Sequence, residues 1–148
     1  MRASLFTLVL ALLSSNALGA GVLEVGGYAR ETLPGANMAA AYLTLRNDGD
    51  TPRSLQKVEL AQFEHGSVSL HTTVSESGVS RMRPLATLPL PAASTVTMAP
   101  GGLHLMLSGA ELAAGEQVQL RLHFADGEVR LVNVPVRSAA EQAHHHHG

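Results

Sequence analysis

From about residue 22 to residue 137 the chain repeats one pattern: apolar and polar positions alternate with a period of two, in short runs broken by turn residues. Alternation of this kind puts every second side chain on one face of an extended strand. In "SVSLHTTV", Val68 and Leu70 fall on one side, and Ser67, Ser69, His71 and Thr73 on the other. "EQVQLRLHF" sets Val118, Leu120, Leu122 and Phe124 against Gln119, Arg121 and His123. "GEVRLVNVPV" alternates less cleanly, with Val129, Leu131 and the Val136 side read as its apolar residues. The Asp126-Gly127 pair between these two strands is a hairpin signal. Further strands are expected in "GVLEVGGYAR", "MAAAYLTLRNDGD", "SLQKVEL", "VSRMRPL" and "TVTM", with turns at 47–50 and in "SESG". "LPLPAAS" reads as a proline-containing connector, and "AELAAGE" as room for one helical turn. No long amphipathic helix and no internal repeat are visible. Many short strands at intervals of about 8–12 residues predict an all-β domain, a sandwich or a barrel.

The first residues break the pattern. "MRASLFTLVLALLSSNALGA" carries one arginine, then an apolar run from Leu5 to Leu13, then small residues. The run is shorter than the roughly 20 residues of a spanning helix. It has the form of a secretory leader, with cleavage expected after Gly19 and nearly as acceptable after Ala17 or Ala20. The expected organisation is a leader at 1–19, one domain at 20–137 and a flexible His-rich tail at 138–148. The formal charge is −2 for the full chain, and loss of Arg2 makes the exported chain more acidic still. That argues against a nucleic-acid partner, and no polybasic segment is present for anionic lipid. No second stretch would insert the exported form into a membrane, and a monomer is expected. The chain has no cysteine, which excludes thiol nucleophiles, thiolate zinc sites, iron–sulfur clusters and His/Cys copper sites.

One strand is unusual. In "GGLHLMLSG", Leu103, Leu105 and Leu107 share a face, and the opposite face carries His104 and Met106. A solvent-side strand face ordinarily carries Thr, Lys, Glu or Ser. His71 also lies opposite the apolar side of its own strand, and Met82 sits between Arg81 and Arg83. Two imidazoles and two thioethers are therefore candidates for one cluster outside the core. A thioether is soft and uncharged, and imidazole suits copper in either oxidation state, so a His/Met set without thiolate or carboxylate favours Cu(I) and disfavours zinc, magnesium or calcium. Met98 falls on the Val96 side and reads as core filler. His65, in a turn, and His123, on the outer face of its strand, read as surface residues. No Ser/His/Asp or paired-carboxylate arrangement points to catalysis, so the chain reads as a non-enzyme.

The separations sharpen the choice. Ten residues lie between His71 and Met82, twenty-one between Met82 and His104, and His-x-Met follows. This resembles the H-(M)-x10-M-x21-H-x-M motif of the periplasmic PCuAC copper chaperones. "AAAYLTLRNDGD", "RMRPL" and "PGGLHLMLSG" are similar to that family too, so the likeness covers roughly 39–136. It implies a cupredoxin-like Greek-key β-sandwich that holds one Cu(I) per chain at an exposed site. The ligands it implies are His71, Met82, His104 and Met106. It also implies transfer in the periplasm to oxidase assembly proteins or an oxidase subunit, toward the copper centres of cytochrome c oxidase. The family often has a methionine two positions after the first histidine; here that position is Thr73, which argues for two histidines and two methionines.

Two other readings stay open on sequence alone: a copper storage or resistance protein, and an extracellular sandwich domain that binds no metal. The run His144, His145, His146 and His147 is either a tag remnant or a native tail. The natural leader favours the native reading, in which neutral imidazoles would take Cu(II) as a second site.

Overall fold

The computed structural model of the chain describes residues 22–139. The leader expected at 1–19 and the four tail histidines lie outside the described residues. Among the described residues ten strands follow one another: β1 (Leu23–Arg30), β2 (Met38–Asn47), β3 (Arg53–Leu60), β4 (Ser67–Glu76), β5 (Val79–Leu85), β6 (Leu88–Leu90), β7 (Ser94–Thr97), β8 (Leu103–Ser108), β9 (Gln117–Phe124) and β10 (Val129–Arg137). Hydrogen bonding joins nine of them in the order β5-β4-β8-β2-β1-β10-β9-β3-β6, and β7 pairs with β2. The fold is all-β, as expected. β1 and β10 are the parallel neighbours, and their pairing is short, Ala29 to Val136 and Arg30 to Arg137. Around that junction the apolar faces of the two halves meet. Ala41, Leu43, Leu45, Leu105 and Leu107 come from one half and Val118, Leu120, Leu122, Val132 and Val134 from the other, all in one buried cluster.

Local chemistry sets the turns. Ser77 and Gly78 both have positive φ, 52° and 78°, the two-residue turn whose twist suits a hairpin; it joins β4 to β5. Gly27 has φ 152°, and a Cβ there would stand 2.1 Å from the Tyr42 carbonyl oxygen. Only glycine lets β1 approach β2 so closely. Asn47 ends β2 and is buried. Its amide nitrogen donates to the carbonyls of Thr51, Leu90 and Pro91 at 2.9, 3.0 and 3.2 Å. Its oxygen accepts the Gly49 N–H at 3.1 Å, so one side chain ties the β2–β3 turn to the end of β6.

Three expectations are corrected. The 110–116 segment forms no helical turn. Ala110 and Leu112 are drawn into the core, Thr32 holds 110–112 in place by accepting from the Leu112 N–H at 3.0 Å, and 113–116 closes as a tight turn with the Glu116 N–H donating to the Ala113 carbonyl. "LPLPAAS" is more than a connector, because Leu88 and Leu90 are both buried and β6 pairs with β3. On β10 the buried residues are Val132, Val134 and Val136, while Val129 and Leu131 are exposed. The β10 register against β9 pairs Val132 with Leu120 and Val134 with Val118, so the opposite set of side chains turns outward.

The β9–β10 hairpin carries an acid-sensitive clamp. Arg53 pairs with Asp126 at 2.9 Å and with Glu128, and its guanidinium lies 4.8 Å from the Phe124 ring centroid. The hydrogen bond from Arg53 holds the Glu128 carboxyl below its ordinary value. The Glu128 backbone N–H does the same to Asp126. For a depressed carboxylate, the stability contributed is present above the unfolded value and is lost as pH falls through the folded one. Urea midpoints should therefore decline between about pH 5 and about pH 3. Arg53→Met should make that decline shallower; an identical slope in the variant would show that the clamp contributes nothing.

Candidate metal centre

Register places all four candidate donors on one face of the β5-β4-β8 region. β8 runs between β4 and β2. His71 on β4 is the direct cross-strand partner of His104, and Ser69 is the partner of Met106. On the other side of β4, Thr73 pairs with Met82 of β5. Cross-strand partners share a face, and so do residues two apart on one strand. Ser69, His71, Thr73, Met82, His104 and Met106 therefore lie together, away from the leucine core. The motif spacing has a simple geometric origin. The β4–β5 hairpin returns Met82 beside Thr73, and the long excursion through β6 and β7 returns β8 beside β4.

The segment entering β8 shapes the site. β7 and β8 both pair with the same edge of β2, and residues 98–102 loop out between them. Met98 anchors this loop: it is buried, as expected for core filler, and its N–H donates to the Leu43 carbonyl at 2.8 Å. At the far end, the Gly102 carbonyl accepts the Thr73 N–H at 3.2 Å. The same carbonyl lies 2.9 Å from His104 Nδ1. A carbonyl only accepts, so Nδ1 carries the proton and Nε2 of the neutral ring is left as a bare lone pair.

That lone pair faces Met82 Sδ at 3.2 Å. A thioether sulfur has no proton either, so two acceptors point at each other with nothing between them to share. With bond lengths of the kind zinc shows, about 2.0 Å to nitrogen and 2.3 Å to sulfur, two donors at a tetrahedral angle sit about 3.5 Å apart. The observed separation is close to that span. The His71 and His104 rings stack with centroids 5.7 Å apart and 14° between planes. Ser69 Oγ lies 2.9 Å from His71 Nε2, and His71 Nδ1 is buried without a hydrogen-bond partner. A buried ring nitrogen without a partner carries a desolvation cost that a bound cation would remove.

The face is less open than alternation suggests. His104 is 6% exposed, whereas Leu103, assigned to the core face, is only half-buried. The Gly102 carbonyl of the 98–102 loop, the His71 ring and Met82 Sδ all lie against the His104 ring and cover it. Met82 remains 56% exposed. The loop carbonyl of Gly102 and the hydroxyl of Ser69, which fix the two rings, went unnoticed in the sequence. So did Met38, whose partner on β8 is Ser108. Its place one residue before the buried Ala39 put it on the donor face, where it is 42% exposed.

Among the described residues no carboxylate is found bonded to the cluster. Arg83 and Arg81, which flank Met82, both reach Glu76 at the hairpin end. Among the described residues no group of three or more His, Cys, Asp or Glu side chains converges as a metal site, so sulfur must complete any set here. His65 is exposed. His123 contacts Glu59 on the other half of the fold. Both fit their surface reading.

Comparison with known proteins gives concordant results. The family model described as "Putative lipoprotein LpqE-like" matches residues 25–136. A curated protein of Leifsonia xyli subsp. xyli (strain CTCB07), named as a "putative lipoprotein", is 36% identical over 106 residues, 70% of this chain. The match spans 63% of that relative's length. Among solved structures, a copper-bound PCuAC domain from PmoF2 superposes with a TM-score of 0.65 at 26% identity, covering 80% of this chain and 95% of that one. The Cu(I) form of DR1885 from Deinococcus radiodurans gives a TM-score of 0.55 at 30% identity, covering 84% and 83%.

Proposed function

The chain belongs to the LpqE-like family of PCuAC-type copper-chaperone domains, and from that premise we propose that it carries one Cu(I) on His71, Met82, His104 and Met106. The observation that carries this reading is the bare His104 Nε2 opposite Met82 Sδ. A soft monovalent cation with affinity for imidazole and thioether fits between them, and a hard oxygen-seeking ion does not. Copper is cargo in this reading, and the chain performs no covalent chemistry. Neutral thioethers release Cu(I) more readily than thiolates would, and an incoming acceptor can displace Met82 first, because it stands on the exposed hairpin. The lipoprotein names of the relatives accord with export. We place the carrier in the periplasm, delivering to the copper centres of an oxidase.

Competition titration of the exported form with a Cu(I) chelator should give one tight site per chain, with nitrogen and sulfur donors in its X-ray absorption spectrum. Met106→Leu keeps the volume and removes the sulfur. It should weaken Cu(I) by about 10-fold or more, with a stability change under about 1.5 kcal/mol. Unchanged Cu(I) affinity with a large loss of stability would make Met106 packing only.

A second, weaker site for Cu(II) on His144–His147 is part of the same proposal. Deleting the four histidines should remove one Cu(II) equivalent and leave Cu(I) affinity intact. Identical Cu(II) spectra and stoichiometry with and without them would rule the tail out.

A further inference from the structure

Next to the donors the same sheet face carries a second cluster. Tyr42 of β2 and Tyr28 of β1 are cross-strand partners with ring centroids 5.2 Å apart. The Arg30 guanidinium lies 5.6 Å from the Tyr42 ring centroid, and that of Arg137 4.2 Å from Tyr28. Register joins this cluster to the metal site. Arg137 pairs with Arg30, and Ala29 pairs with Ala41, which sets Arg30 beside Ala40. Ala40 in turn pairs with Met106. One row across the sheet thus reads Arg137, Arg30, Ala40, Met106. At about 4.8 Å per strand, β1 and β10 lie roughly 10 and 14 Å from β8.

Neither arginine has a carboxylate partner among the ion pairs of the described residues. Arg30 Nε is buried with no hydrogen-bond acceptor. Stacking on tyrosine holds both guanidinium groups in place, and their nitrogens, the buried Arg30 Nε included, stand without a carboxylate partner. Such preorganised forks match carboxylates, which they bind bidentately. Along that row only the small Ala40 side chain stands between Arg30 and Met106.

We propose that Arg30 and Arg137 form the docking rim for a copper acceptor that presents acidic side chains beside its own metal-binding segment. This rests on the reading of the donor cluster as a Cu(I) site and names the chemistry of its partner. Docking at this rim sets the acceptor's ligands over Met106 and Met82, and charge pairing there speeds encounter more than it deepens affinity.

The probes are two short peptides that share one Cys-Ser-Ser-Ser-Cys segment and differ only in flanking glutamates or flanking lysines. Anisotropy with the copper-free chain reads docking alone. At low salt the acidic peptide should bind at least about 10-fold more tightly than its lysine twin. The preference should vanish in Arg30→Gln/Arg137→Gln, return only in part in Arg30→Lys/Arg137→Lys, which restores the charge without the planar fork, and fade at high salt. Stopped-flow transfer from the Cu(I)-loaded chain should show the same order, with Cu(I) affinity unchanged by the glutamine pair. Equal binding of the two peptides, or a preference that survives the glutamine pair, overturns the proposal. So does binding to phosphatidylglycerol vesicles with indifference to the acidic peptide. Because docking is read without metal, failure to bind Cu(I) would count against the metal site and leave this result standing.

Discussion

His104→Ala should lower Cu(I) affinity by about 100-fold or more while the chain stays folded. His104 supplies the Nε2 lone pair that faces Met82, and its proton position is fixed by the Gly102 carbonyl. Loss of a mere orienting partner around a metal costs roughly 10- to 100-fold, and His104 is placed as a ligand. The ring is buried, yet it stands outside the leucine core, so removal leaves a gap on the sheet face and not within it. Chelator competition gives the affinity, and circular dichroism gives the fold. A second substitution separates chemistry from packing. His104→Gln keeps much of the bulk without the imidazole lone pair and should lose nearly as much affinity as alanine. If glutamine binds Cu(I) as the unchanged chain does, the imidazole is structural and the ligand set must be redrawn.

Asn47→Ala should be the most destabilising of the single polar substitutions considered, by about 3 kcal/mol. Its amide nitrogen serves three carbonyls and its oxygen serves the Gly49 N–H. The Leu90 carbonyl it contacts is in the buried part of that network. Each buried polar group left without a partner costs roughly 1–3 kcal/mol. For a domain of this size the midpoint of thermal unfolding should drop by more than about 10 °C. Cu(I) affinity measured below that transition should not move, because Asn47 lies seven residues along β2 from Ala40, about 23 Å at the strand rise. A loss under about 1 kcal/mol would mean that water replaces the amide without penalty, and a change in Cu(I) affinity would mean that the two ends of β2 are coupled.

Much of the fold was legible because period two survives wherever a strand has one covered face. "EQVQLRLHF" and "GGLHLMLSG" gave β9 and β8 with their inward residues Leu120, Leu122, Leu105 and Leu107. The reading faltered where another element decides what covers a strand. Leu131 and Val129 are apolar and alternate, yet pairing with β9 assigns the inward positions to Val132, Val134 and Val136. Pro89 and Pro91 disguised β6, which tolerates Pro89 because it is the edge strand beyond β3 and ends before Pro91. Thr32 overrode the helix-like composition of 110–116 by tying Leu112 to the core side of the fold before the chain turns at 113–116. At the site, His71, Met82, His104 and Met106 were singled out from sequence, and register brings them to one face. Ser69 and Gly102 escaped because a hydroxyl and a backbone carbonyl leave no distinctive spacing. Met38 carried a usable signal in its place beside Ala39, but alanine marks a buried face only faintly.

β5, at the end of the strand order opposite β6, is exposed from Val79 to Pro84 and only half-covers Leu85. It is held by ladder bonds to β4 and by the arginine contacts to Glu76, with almost no apolar burial. A segment built this way opens at a lower free energy than the core it borders. Cu(I) bound between Met82 and His104 would fasten that margin to β8, and so could bind tightly only when the hairpin is closed. By linkage the cargo stabilises the closed form by RT ln(1 + [L]/Kd), roughly 2.7 kcal/mol at a free concentration one hundred times Kd. Loaded and empty carriers would then differ most in the hydrogen-exchange protection of β5, and a receptor that grips only the closed hairpin could tell a full carrier from an empty one by stiffness alone.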